Sequence, residues 1–220
     1  MRAMILAAGR GERLRPLTDT CPKPLVAVQG KPLIEYHLEK LAAAGFADVV
    51  INHAWLGHLI PERLGNGCHW GLRLHYSAEA AALETGGGIK QALPLLGDEP
   101  FLVINGDIFI DQLPQLSTLS AEADAHLFLV DNPVQHPNGD FAIEDGFASV
   151  EGSNKLTFSG IGIYRPSLFQ DTPDGAFGLA PLLKQKMKQG RVSATKMPHY
   201  WCDVGTVERL AQLSERLQNK

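Results

Sequence analysis

The residues with the most chemical potential crowd the N-terminus. In Leu6-Ala-Ala-Gly-Arg-Gly-Glu-Arg-Leu-Arg-Pro-Leu-Thr18 a short apolar strand runs into Gly9 and Gly11, with Arg10, Arg13 and Arg15 close behind. Glycines let the backbone approach a ligand and turn its N–H groups inward, which suits an anion. Lys23 then stands between Pro22 and Pro24. The second proline biases it toward extended backbone and the first stiffens the approach, so a rigid segment presents the ammonium. The glycine turn (Gly9, Gly11), the cluster of Arg10, Arg13 and Arg15, and Lys23 together read as a polyphosphate cradle. Lys supplies a compact charge and Arg a fork. Glu12 is either a further nucleotide contact or an exposed loop residue. Neither better-known phosphate loop fits. The Walker spacing is absent, and the dinucleotide fingerprint lacks its third glycine, because position 14 is Leu and Pro16 breaks the helix that should open there.

Two aspartates lie where a hard cation could be held. Asp107 follows an apolar stretch in Asn105-Gly-Asp107, and Asp203 lies in Trp201-Cys-Asp-Val-Gly-Thr206. Mg²⁺ is typically bound through one or two carboxylates plus substrate phosphates. Read singly, Asp107 merely ends a strand and Asp203 merely begins a helix. Asn105 can hydrogen-bond a ribose or sugar, although Asn-Gly is also an ordinary turn pair. The three cysteines (Cys21, Cys68, Cys202) are scattered, and no His-x-x-x-His occurs, so neither zinc nor a disulfide framework is indicated.

The elements that must position these groups alternate. Strands are expected at Met4–Ala8, Asp48–Asn52, Leu72–Tyr76, Phe101–Ile104, His126–Val130, Ile161–Tyr164, Val192–Lys196 and Tyr200–Cys202. Helices are expected at Lys31–Ala44 (Pro32 in its first turn), Leu56–Leu64, Gly88–Leu96, Leu179–Gln189 and Val207–Leu217, the last with Thr206 as N-cap. This alternation predicts an α/β, doubly wound, mostly parallel mixed sheet with helices on both faces. Ligands in such sheets bind beyond the carboxyl ends of the strands, where the first loop, Asp107 and Asp203 all fall. The rhythm breaks over residues 131–160, which are expected to form a flap or small side sheet. Residues 1–220 are expected to be one domain.

Composition narrows the function. A chain of 220 residues that is 45% hydrophobic can bury a substantial core. A net charge of −4 argues against a nucleic-acid partner, because no basic surplus exists to neutralise a phosphate backbone. No apolar run approaches the roughly 20 residues needed to span a bilayer. A cytoplasmic protein without an obligate protein partner is expected.

The run from Leu6 to Leu25, with Leu83-Glu-Thr-Gly-Gly-Gly88, Asn105-Gly-Asp107 and Trp201-Cys-Asp-Val-Gly-Thr206 in that order, resembles the signature of the sugar-1-phosphate nucleotidylyltransferases. Within that superfamily, Asn52-His-Ala-Trp-Leu-Gly57, Leu129-Val-Asp-Asn-Pro133 and Leu156-Thr-Phe-Ser-Gly160 resemble the N-acetylmuramate 1-phosphate uridylyltransferases of cell-wall salvage. The resemblance implies a Rossmann-like, GT-A-like fold. It also implies an Mg²⁺-dependent reaction in which a sugar 1-phosphate attacks the α-phosphorus of UTP. Arg13, Lys23, Asp107 and Asp203 are then catalytic, with Asp107 and Asp203 on the metal. Ala8, Gly9, Gly11, Glu12, Arg13, Lys23, Thr85 and Asn105 bind the nucleotide, Thr85 at the base edge. Gly86-Gly87-Gly88 is alternatively only a flexible helix start. Asp140, in Asn138-Gly-Asp140, is either a sugar contact or part of a tight hairpin turn. Same-fold alternatives are thymidylyl-, guanylyl- or cytidylyltransferases, and a different class is an idle nucleotide-sugar-binding subunit.

Overall fold

The computed structural model describes residues 1–116 and 119–219. The first third of the chain runs β1 (Ala3–Leu6), three single 3-10 turns, β2 (Ala27–Val28), β3 (Lys31–Pro32), α1 (Leu33–Ala43), β4 (Asp48–His53), α2 (Leu59–Leu64) and β5 (Arg73–Ala78). Next come α3 (Glu84–Leu96), β6 (Phe101–Asn105), β7 (Ile108–Ile110), β8 (Ala125–Val130), β9 (Ala142–Glu144), β10 (Phe147–Ser149) and β11 (Thr157–Tyr164). The chain closes with α4 (Leu179–Met187), β12 (Val192–Lys196), β13 (Trp201–Asp203) and α5 (Val207–Gln218). Apart from an N-terminal residue, these form two compact units: Arg2–Ala82 with Ile104–Leu113 and Tyr200–Lys220, and Leu83–Val103 with Pro114–His199.

In the first unit β1, β4 and β5 are parallel, with Ala3 opposite Val49 and Asp48 opposite Arg73. Met4, Ile5, Val49, Val50 and Ile51 are fully buried, as expected of strands covered on both faces. Helix α1 buries Leu33, Ile34, His37, Leu38 and Leu41. It starts later than its apolar stripe suggested. Gln29 and Gly30 both adopt positive φ (50° and 75°), the two-residue hairpin geometry that matches strand twist. Lys31 and Pro32 therefore pair back onto β2, and Pro32 becomes the N-cap instead of a first-turn residue. Strand β7 was not anticipated; it pairs antiparallel with β13, Ile108 opposite Asp203. Phe109 and Val204 join Val28, Leu33 and Leu213 in the core under α5. Thr206 caps α5, accepting from the Arg209 N–H at 3.3 Å.

The second unit orders its strands β11-β8-β12-β10-β9, with β8 and β12 parallel and the other neighbours antiparallel. The irregular 131–160 stretch contributes the β9–β10 hairpin at one edge and the start of β11. That strand begins at Thr157, earlier than expected, because a register shift between Phe158 and Ile161 hid its period. Helix α3 begins at Glu84, four residues before the expected start at Gly88, and takes in Gly86 and Gly87. These two sit there for close approach. The N–H groups of Gly86 and Gly87 donate to the Phe177 carbonyl at 2.9 and 3.1 Å. A methyl at Gly86 would overlap the Phe177 ring, and one at Gly87 the Gly175 carbonyl.

His37 gives the first unit a pH sensitivity. It is 1% exposed. Its Nε2–H donates to the Ile108 carbonyl at 2.9 Å, and Nδ1 has no partner. Burial, assisted by Lys40, pushes its pKa down to about 4 against the opposing influence of the Ile108 carbonyl and Asp107. Between about pH 6.5 and 4 the unfolded chain binds a proton here that the folded chain refuses. Stability therefore falls with pH across that window, by on the order of 3 kcal/mol if fully expressed. Urea midpoints measured from pH 7 to 5 should drop, and His37→Gln should drop less steeply. An identical slope in the variant would locate the effect elsewhere.

Candidate active site

The loop after β1 is tied to its neighbours at the carboxyl end of the parallel strands. Ala7 N–H donates to Asn52 Oδ1 at 2.9 Å, and Asn52 Nδ2 donates to Glu79 Oε1 at 2.6 Å. The loop then turns at Gly11 (φ 69°), whose carbonyl accepts from the Leu14 N–H at 2.9 Å and the Thr18 hydroxyl at 2.8 Å. A methyl at Gly11 would lie 2.9 Å from Thr18 Cγ2 and 3.0 Å from Lys23 Cβ, whereas one at Gly9 would meet nothing within 4 Å. Gly11 thus permits both the left-handed turn and the packing of the loop on Lys23.

Lys23 does not take the extended backbone expected of a residue before proline. It opens a 3-10 turn over Lys23–Leu25, while Pro22 is the extended residue (φ −64°, ψ 142°). Hydrogen bonds from Leu25 N–H to the Pro22 carbonyl (2.8 Å) and from Val26 N–H to the Lys23 carbonyl (3.1 Å) offset the local bias. The Lys23 side chain is 9% exposed, and its Nζ lies 2.8 Å from Asp107 Oδ2. Gly106, next to Asp107, has its own reason to be glycine. Its N–H donates to the Leu6 carbonyl at 2.8 Å, and a methyl there would be 2.6 Å from that oxygen. The glycine serves a close backbone crossing.

Asp203 ends β13 beside the same turn, since Val204 N–H donates to the Asp107 carbonyl at 2.8 Å. Its Oδ2 accepts from Arg209 Nη1 at 2.9 Å, while Oδ1 is buried without a partner. Gly205 is the meeting point. A methyl there would lie 2.6 Å from Arg209 Nη2, 2.7 Å from Asp203 Oδ1 and 3.0 Å from Arg13 Nη2. The first unit therefore brings together Arg13, Lys23, Asp107 and Asp203, with Asn105 at the end of β6. Of the other arginines, Arg15 pairs with Asp19 at 2.7 Å. Arg10 lies 4.6 Å over the Trp55 ring and 3.9 Å from the exposed Glu12.

Thr85 and Asp140 belong to the second unit, and both have partners within it. Thr85 Oγ1 accepts from the Leu179 N–H at 3.1 Å, which caps α4. Asp140 Oδ1 is 3.1 Å from His136 Nε2, and Oδ2 accepts from the Phe158 N–H at 2.8 Å. Asn132 organises this region, donating to the Pro137 and Lys155 carbonyls and accepting from the Thr157 hydroxyl. Sequence reading missed Arg209, and gave no role of their own to Gly205 and Asn132, which lie within the quoted segments Trp201–Thr206 and Leu129–Pro133. A signal existed for Arg209: a cation in the first turn of a helix opposes the helix dipole and calls for a compensating anion.

A family profile described as Nucleotidyl transferase matches residues 2–140. The chain is 53% identical to the N-acetylmuramate alpha-1-phosphate uridylyltransferase of Neisseria meningitidis serogroup B over 96% of each chain. It is 37% identical to the Caulobacter vibrioides protein of the same name, covering 98% of this chain and 96% of that one. Among solved structures, a Bacillus anthracis protein in complex with a sucrose has a TM-score of 0.86 at 20% identity, covering 100% of this chain and 96% of that one. That likeness is one of fold. HddC from Yersinia pseudotuberculosis complexed with GMP-PN has a TM-score of 0.79 at 25% identity, over 98% and 99% of the two chains.

The crowding at Gly205 predicts a contrast between two glycines. Gly205→Ala should lose ~1–3 kcal/mol by overpacking three polar side chains. Gly9→Ala should stay within ~0.5 kcal/mol, as surface changes usually do. Chemical denaturation of both variants measures the difference, and equal stabilities would mean that the Gly205 contacts relax without cost.

Proposed function

Because this chain belongs to the nucleotidyl transferase family, we propose that it transfers the uridylyl group of UTP to a sugar 1-phosphate, forming a UDP-sugar and pyrophosphate. The proposed sugar is N-acetylmuramate 1-phosphate, which would place the reaction in peptidoglycan recycling and the enzyme in the cytoplasm. The observation that carries the reaction type is the cluster of Arg13, Lys23, Asp107 and Asp203 beside the loop after β1. The sugar and the base rest on the names of the two uridylyltransferases to which the chain is similar over nearly its whole length. Among the described residues no helix is long and apolar enough to cross a membrane.

The nucleophile needs no general base. A phosphate monoester has its second pKa near ~6 and is largely ionised at neutral pH. What it needs is in-line placement and neutralisation of charge on the transferring group and the departing pyrophosphate. Lys23 is aimed by a rigid turn and Arg13 is packed at Gly205, so both cations are held before substrate arrives. Preorganised donors of this kind are worth about 3–4 kcal/mol each in related chemistries.

The residues present fit Mg²⁺. Asp203 Oδ1 is a buried acceptor without a partner, and a missing ion is one explanation for such an atom. Asp107, with a 38% exposed side chain, keeps access to ligand although Lys23 holds one of its oxygens. Asp107 and Asp203 would hold the ion, with phosphate and water completing its shell. Once bound it supplies Lewis-acid neutralisation of phosphate charge. Ala8, Gly9, Gly11 and Glu12 fall to the nucleotide in the same reading, with Asn105 at the ribose or sugar. Thr85 at the base and Asp140 at the sugar rest on the resemblance alone. For both, the oxygens already serve neighbours in their own unit.

The decisive experiment is a matrix of nucleoside triphosphates against sugar 1-phosphates, read by pyrophosphate release with and without Mg²⁺. UTP with N-acetylmuramate 1-phosphate should give the highest kcat/KM. Asp107→Asn and Asp203→Asn should each lose roughly 3–5 kcal/mol of transition-state stabilisation. Equal or better use of glucose or mannose 1-phosphate would remove the muramic assignment and leave nucleotidyl transfer standing. Full activity in excess chelator would remove the metal.

A further inference from the structure

Helix α5 carries two arginines, Arg209 and Arg216, on the flank of its apolar stripe. Seven residues advance about 10.5 Å along a helix. The ribbon beneath it, from the level of Asp203 and Ile108 to that of Tyr200 and Asp111, spans three residues, or about 10 Å. The two lengths match, and each arginine meets one end. Arg209 Nη1 donates to Asp203 Oδ2 at 2.9 Å. Arg216 Nη2 donates to Asp111 Oδ2 at 2.9 Å, and its guanidinium lies 3.6 Å from the centre of the Tyr200 ring. Leu210 and Leu213 between them, and Leu217 just beyond, pack on the Phe109 and Val204 core.

Only one of these contacts touches a proposed metal ligand, and it is the one with the greater local cost. Arg209 lies in the first turn of α5, where the helix dipole disfavours a cation. Its side chain is 16% exposed against 37% for Arg216, while the Nε of both arginines is buried without a partner. A lysine would carry the charge, but it lacks the planar fork that sets one nitrogen on Asp203 and another over Gly205.

We propose that Arg209 is a positioning residue: it occupies Asp203 Oδ2 and thereby fixes the carboxylate rotamer that leaves Oδ1 free for the metal. Arg216 anchors the helix and has no part in holding the ion. This rests on the nucleotidyl-transfer reading and adds to it a residue that acts through Asp203. Hydrogen-bond partners of metal ligands commonly contribute about 10–100-fold to metal affinity.

The test is Mn²⁺ binding, followed by the loss of the free-ion EPR signal, to full-length protein saturated with α,β-methylene-UTP. Arg209→Gln should weaken Mn²⁺ by about 10–100-fold, and Arg209→Lys should recover part of that loss. Arg216→Gln should lower the melting temperature but leave Mn²⁺ affinity within twofold of wild type. Unchanged Mn²⁺ affinity in a folded Arg209→Gln protein would overturn the proposal. So would equal losses in the Arg209 and Arg216 variants, because the effect would then be general loosening. If Arg209→Gln fails to fold, Arg209→Lys decides: wild-type affinity there overturns the proposal and a partial loss supports it. A wild-type protein that binds the nucleotide analogue without taking up Mn²⁺ would instead overturn the metal-dependent reading itself.

Discussion

The organising constraint is electrostatic: two aspartates, Asp107 and Asp203, lie on segments that a backbone hydrogen bond ties together. Negative charge is therefore in excess, and the fold answers by giving each carboxylate its own cation. Lys23 takes Asp107 at 2.8 Å across 84 residues of sequence, and Arg209 takes Asp203 at 2.9 Å. Both cations have side chains less than one-fifth exposed, so each pair is less screened by salt than a surface ion pair. The remaining elements of the first unit serve this pairing. Strand β1 delivers the loop that packs on Lys23, the β7–β13 ribbon ties the backbones bearing the two aspartates, and α5 closes over the ribbon.

The glycines of the site do steric work more than they give freedom. Gly11 makes room for Lys23, Gly106 for the Leu6 carbonyl, and Gly205 for three polar side chains at once. A methyl at any of them meets an atom at 3.0 Å or less, while one at Gly9 meets none within 4 Å. Gly9 is thus the position whose openness is left over from packing, in keeping with a backbone approached by a ligand. The same logic holds in the second unit, where Gly86 and Gly87 admit the 175–177 segment against α3.

Legibility in the sequence depended on how local each cause is. The strands with continuous apolar runs, β1, β4, β6 and β8, were readable because burial on both faces leaves an unbroken signature. The Thr206 cap was readable because its cause lies within three residues. What was missed was set from a distance or by a short pairing. The Lys31–Pro32 pairing depends on a Gln-Gly hairpin with a weaker signal than Asn-Gly. Strand β7 is three residues long and has meaning only opposite β13. The early start of α3 depends on a carbonyl from Phe177. The two aspartates, Lys23 and Arg13 could be nominated from residue type and turn context, and the first unit does bring them together. The guanidinium that holds Asp203 was not nominated, although an arginine in the first turn of α5 runs against the helix dipole and so asks for an anion nearby.

Arg209 also shows what kind of local inconsistency is worth pursuing. A first-turn arginine runs against the helix dipole, and a buried guanidinium nitrogen without a partner carries a desolvation penalty. Both are unfavourable for α5 considered by itself. They become intelligible when the helix is viewed from Asp203, whose second oxygen is buried and unpaired in turn. Of the two polar groups joined by the 2.9 Å hydrogen bond, a further cation would satisfy the Asp203 oxygen, whereas the Arg209 Nε–H needs an acceptor. The unfavourable placement of Arg209 in α5 and the unpaired Asp203 oxygen are then two sides of one arrangement, in which one carboxylate oxygen is held and the other is left without a partner.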